Sequence, residues 1–127
     1  MNPMPRSTNV QHLEGRIVIL EPVAGDLSRA YRGLKTALEL VQAGDDVTVL
    51  FDGSGVETLA AVSASDSPLN PVLTAISASV RGACKFCAKS HKVEAAIRDA
   101  GWPLLDDYDG EASTRALLVE GYQVLTF

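Results

Sequence analysis

Two spacings of apolar residues alternate along this chain. Short unbroken apolar runs stand at residues 16–20 (RIVIL), 46–51 (DVTVLF) and 122–127 (YQVLTF). Each is too short for a helix and shows no wet alternate face. Each is therefore expected to be a strand, with residues 16–20 buried on both sides, which is the habit of parallel sheets. A weaker run at residues 78–83 reads as a further strand on position more than on propensity, and Leu104 and Leu105 offer a short one.

Between these runs the spacing changes to three and four. Leu27, Ala30, Tyr31, Leu34, Leu38 and Val41 form one helical stripe, with Asp26 as its cap and Gly44 as its stop. Ser54 and Glu57 fit a capping box ahead of a helix carrying Val56, Leu59 and Ala60. Asn70 before Pro71 reads as a cap followed by proline at the first helical position, with Val72, Leu73 and Ile76 behind it. Val93, Ala96, Ile97 and Ala100 predict a helix that runs on from the cysteine segment and stops at Gly101. Asp109 is expected to cap a last helix bearing Ala112, Ala116, Leu117 and Leu118, ended by Gly121. Strands alternating with helices predict an α/β fold: a three-layer α/β/α sandwich on a mainly parallel sheet of four to five strands. Residues 1–14, rich in Pro, Ser and Asn, read as a flexible tail, and residues 15–127 as a single domain.

Composition narrows the picture. The 127 residues suit one core, and 46% hydrophobic with 21% charged residues is ordinary for a globular chain. Eleven Lys and Arg against sixteen Asp and Glu give a net charge of −5, and aromatics are 6%. That balance argues against nucleic acid as a partner. No apolar run approaches the ~20 residues that cross a bilayer, so no membrane association is expected. No apolar core follows Arg6, as a signal peptide requires, and a cytoplasmic location is expected. In that compartment paired cysteines serve redox chemistry, sulfur transfer or a metal more often than a structural disulfide.

Both cysteines of the chain stand in one stretch, RGACKFCAKSHK, residues 81–92. It lies where a strand is expected to give way to a helix, with unpaired N–H groups and the positive end of the helix dipole. Arg81, Lys85, Lys89 and Lys92 surround the cysteines, and no acid occurs between Asp66 and Glu94. A basic island of this kind is expected to favour a thiolate. On a continuous helix Cys84, Cys87 and His91 share one face. In a parallel sheet, ligands gather beyond the carboxyl ends of the strands. There the cysteine segment is expected to meet the loop at residues 21–26 and the turn of Asp52, Gly53 and Ser54. Candidate ligand-binding residues are thus Lys85, Lys89, Asp52, Gly53 and Ser54. Trp102 reads as core or interface packing, and Asp106, Asp107 and Asp109 as turn and cap residues without the spacing of a calcium loop.

The order of these features resembles the DsrE/DsrF-like family of small α/β proteins connected with sulfur relay. The resemblance spans residues 16–127: the opening strand, the apolar run closing on Asp52 to Gly55, the segment ACKFCAKSHKV, and the ending LLDDYDGEASTRALLVEGYQVLTF. It implies a DsrE-like domain with flavodoxin- or Rossmann-like winding and a persulfide carried on Cys84. It also implies a homo-oligomer, a trimer or hexamer, and a sulfur-donor or acceptor protein as partner.

Four readings follow. In the first, Cys84 carries sulfur, Cys87 resolves the persulfide and His91 shuttles a proton, with no cofactor and no metal. The alternatives are a dithiol redox protein using Cys84 and Cys87, a metal site adding His91 to them, and a non-catalytic oligomeric module that binds an anion or small ligand.

Overall fold

A computed structural model describes residues 16–21 and 27–127. The tail expected over residues 1–14, the cap expected at Asp26, most of the loop at residues 21–26, and His12 lie outside the described residues. The chain is α/β. Strands β1 (Arg16–Glu21), β2 (Asp46–Phe51), β3 (Val80–Cys84), β4 (Leu104–Leu105) and β5 (Tyr122–Thr126) line up in the order β4-β3-β2-β1-β5. Every neighbouring pair is parallel. The first three crossovers step the same way across the sheet. The fourth returns from β4 past all of them to β5.

Alternation along β2 divides the interior. Val47, Val49 and Phe51 face helices α1 (Leu27–Gln42), α2 (Gly55–Val62), α3 (Asn70–Ala75), α4 (Lys85–Ser90) and α5 (Glu94–Asp99), with Leu34, Leu59, Leu73 and Ile97 buried against them. Leu50 points the other way and meets Leu117 of helix α6 (Thr114–Val119), flanked by Leu105, Tyr122 and Val124. This is the placement that right-handed crossovers require: a reversal of direction across the sheet puts the connecting helix on the opposite face.

Several local expectations are corrected. Helix α1 buries Ala30, Leu34 and Ala37, and Gly44 ends it with φ 83. Its Leu27 and Tyr31, expected in the core stripe, are instead exposed beside Leu69. Ser54 stands at the start of α2, but its side chain makes no capping hydrogen bond to the helix, so the capping box does not form. The cap of α3 is Leu69, not Asn70. The Asn70 amide donates instead to the carbonyls of Val62 and Ser63, at 3.0 and 3.3 Å, closing α2 onto α3. Trp102 packs on the main core as expected, and its indole N–H donates to Ser63 Oγ at 2.7 Å.

The helix expected to run from the cysteines to Gly101 is broken in two. Lys92 adopts φ 59, and the N–H groups of Lys92 and Val93 return to the carbonyls of Lys89 and Ala88. That pattern is the usual glycine-stopped helix end, here with a lysine in glycine's place. The cap expected at Asp109 is corrected too. Asp109 (φ 51) and Gly110 (φ 82) form the centre of a tight turn, closed by paired backbone bonds between Tyr108 and Glu111. Two successive positive φ values match the Asp-Gly hairpin turn. Ser113 caps α6 instead, accepting the Ala116 N–H at 3.0 Å.

Candidate functional site

The position of Cys84 is set by an irregularity in β3. Val80 pairs with Val49 and Ala83 with Phe51, so three steps along β3 match two along β2. The extra residue reverses the facing of everything after it. Ala83 thereby joins Val80 in the main core, and Cys84 turns toward the α6 side. Gly82 makes the bulge possible. Its φ is 134, and a Cβ there would lie 2.3 Å from the Pro103 carbonyl oxygen. Only glycine lets that backbone come so close.

Strand β3 leaves into α4 on one face of the sheet and β4 leaves toward α6 on the other. Open sheets bind ligands where neighbouring connections diverge in this way. A cleft of about 690 Å³ opens there, lined from the ends of β2 and β3 by Asp52 and Cys84. The connection from β4 to α6 supplies the opposite wall, including Asp107, Glu111 and Arg115. Cys84 is only 1% exposed, so its sulfur forms the floor of the cleft rather than its mouth. It is the first residue before α4, yet its thiol makes no capping bond to that helix's backbone. Instead Sγ accepts the Ala112 N–H at 3.4 Å.

Cys87 sits on the first turn of α4, partly buried against the main core. Its Sγ donates to Asp52 Oδ1 at 3.6 Å. Ligand atoms of Asp52, Cys84 and Cys87 all lie within 4.8 Å of one another. Burial pushes the Cys87 thiol up from its ordinary 9.0 to about 12, helped by the hydrogen bond and charge of Cys84 and by the Asp52 carboxylate. A backbone hydrogen bond from Gly53 works the other way. At neutral pH Cys87 therefore keeps its proton.

The basic island does not assemble around the thiols. Lys85 stands 3.8 Å from Asp106, and Arg81 pairs with Glu120 at 2.9 Å. Lys89 and Lys92 line a separate surface hollow with Glu94 and Arg98. Neither Lys85 nor Lys89 lines the cleft, whose charged lining residues are Asp52, Asp107 and Glu111 against Arg115. The expected positive bias is thus corrected: the thiols have acid neighbours. His91 closes the last turn of α4, its N–H donating to the Cys87 carbonyl at 2.9 Å, but its ring is engaged elsewhere. Its Nδ1 lies 2.7 Å from Glu57 Oε2 on α2. Gly53 (φ 53) and Ser54 turn the chain from Asp52 into α2, with Gly55 N–H donating to Asp52 O at 2.8 Å.

The structure thus brings Asp52, Cys84 and Cys87 together and sets Lys85, Lys89 and His91 apart from them. The wall from Asp107 to Arg115 was not anticipated as part of a site. Its one sequence signal is the Asp109-Gly110 dipeptide, which turns the chain back over the end of β3. Among the described residues no helix is long and apolar enough to cross a membrane. Comparison with known proteins gives no match to a family model, to a curated protein or to a solved structure.

Proposed function

We propose that the chain is a sulfur-relay protein in which Cys84 and Cys87 work as one dithiol. The observation that carries this reading is the meeting of both sulfurs with Asp52 beside the cleft that Asp52 and Cys84 line. Cys84 accepts the transferred atom. Its thiolate attacks the outer sulfur of a donor persulfide, R–S–SH, giving Cys84–S–SH and releasing R–S⁻. The Ala112 N–H donates to Sγ and holds that sulfur at the end of β3. Cys87 then attacks the inner sulfur of that persulfide as Asp52 takes its proton. A disulfide forms, HS⁻ leaves, and the two electrons gained by the sulfane sulfur come from the two thiols.

Apolar packing on both sides of β2 fits a three-layer α/β/α sandwich, and Cys84 closes β3 at the carboxyl end of the parallel sheet, where ligands gather. The partners that follow are a sulfur-donor or acceptor protein and further copies of the chain, as a trimer or hexamer. Exposed Leu118 and Val119, on α6, are the apolar surface that supports assembly. The test is intact mass after incubation with a sulfane-sulfur donor. Cys87→Ser should hold a stable adduct of about 32 Da, one sulfur atom, on Cys84. Equal uptake by Cys84→Ser would remove Cys84 from the role.

A dithiol redox protein is the second reading, favoured by the same proximity of the two sulfurs. A reduction potential in the thioredoxin range, with no sulfur adduct on any variant, would select it.

A further inference from the structure

Asp52 enters the thiol pair as a third ligand of a different kind. The geometry points to a site for a zinc-like divalent cation formed by Asp52 Oδ1, Cys84 Sγ and Cys87 Sγ. A tetrahedral zinc with bonds of about 2.3 Å to sulfur and 2.0 Å to oxygen holds those two atoms about 3.5 Å apart. The Cys87 Sγ to Asp52 Oδ1 separation is 3.6 Å, and all three atoms fall within 4.8 Å of one another. Small side-chain adjustments therefore complete three corners of a tetrahedron. The donor set is soft sulfur with one carboxylate, which selects zinc or cobalt over magnesium and calcium, cations that prefer all-oxygen shells.

The surroundings fit the same occupant. Asp52 and Cys84 line the cleft, so the fourth position opens onto it, the arrangement of zinc sites that retain a water or an exchangeable ligand. The Ala112 N–H on Cys84 Sγ acts as the outer hydrogen bond that orients a thiolate ligand. Two thiolates and one carboxylate carry three negative charges. The cation leaves one, with Arg115 among the cleft-lining residues to meet it. His91 is not the third ligand, being held 2.7 Å from Glu57. Binding balances as M²⁺ joining two sulfurs and one oxygen with release of two protons. A cation there occupies the electron pairs that sulfur transfer uses, so metal and sulfur exclude each other at this site.

The test uses the full chain, reduced and stripped with a chelator, then titrated with Zn²⁺ and separately with Co²⁺. Expected is one zinc per chain and, with cobalt, thiolate charge-transfer absorption together with the visible bands of a four-coordinate ion. Cys84→Ser and Cys87→Ser should each lose the charge-transfer band or weaken it, and Asp52→Asn should weaken zinc binding at least about tenfold. His91→Ala should bind as wild type. The cobalt spectrum of the wild type needs no variant to fold. Absence of thiolate absorption in that spectrum, undiminished zinc affinity in Asp52→Asn, or loss of binding in His91→Ala would each overturn the site. Sulfur uptake is measured on metal-free protein, so this inference and the sulfur-relay reading can fail separately.

Discussion

Among the described residues, the two faces of the sheet are packed unequally. On the face of α1 to α5, Leu34, Val49, Phe51, Val56, Leu59 and Ile97 are fully buried and packed together. On the face of α6, the described core is Leu50 and Leu117 with a partly buried fringe, and Leu118 and Val119 lie exposed. The thiol pair bridges the seam: Cys87 is anchored on the dense side, and Cys84 turns toward the sparse side. A reactive group held by a rigid layer and covered by a looser one is both positioned and reachable. The cleft opens where the sparse side begins, at the connection from β4 to α6.

The comparison can be broken by truncating each face. Leu59→Ala should cost about 4 kcal/mol in denaturant unfolding, and Leu117→Ala only about 2, since the sparse face relaxes into the space left behind. Equal losses would mean that the two faces are equally packed. Gly82→Ala should cost about 3 kcal/mol, because the added carbon meets the Pro103 carbonyl and the residue must hold a positive φ. It should also shift β4 and slow alkylation of Cys84, which follows the bulge.

A pH measurement sharpens the account of Cys87. Folded, this thiol keeps its proton to about 12, against an ordinary 9.0. Between those values the folded chain holds more protons than the unfolded one, so stability falls as pH rises through that window. The contribution is fully present below about 9, where both states are protonated. Wild type should lose more stability than Cys87→Ser over this range, in paired denaturation curves. The smallest expected effect on the chain itself is that of Leu118→Asp, on the exposed face of α6. It should leave the circular dichroism spectrum unchanged while lowering the mass seen by light scattering, if that face is covered by another copy.

Much of the frame was legible in the sequence. The run at residues 46–51 stands as a strand because continuous apolar residues leave a backbone few other ways to be buried on both sides, and the closing run at 122–127 forms the half-exposed edge strand Tyr122–Thr126. Helix α1 and its glycine stop were legible for the same local reasons. Errors arise where tertiary structure overrides local preference. The beginning of β3 was placed two residues early, since a bulge at Arg81 and Gly82 has no signature beyond one glycine. The break at Lys92 was hidden because a lysine does the work of a glycine. The cysteines were found, but their charge environment was misjudged. Lysines adjacent in sequence point to separate acids or to a separate hollow, whereas Asp52 and the wall from Asp107 to Arg115 reach the thiols only through the order of strands.

The most direct test is the sulfide released when reduced, metal-free protein meets a sulfane-sulfur donor. Wild type should release about one sulfide per chain and close the disulfide between Cys84 and Cys87. Cys87→Ser should take up the sulfur and release none until an external thiol is added. If Cys87→Ser releases sulfide as fast and as fully as wild type, the two thiols do not act as a pair.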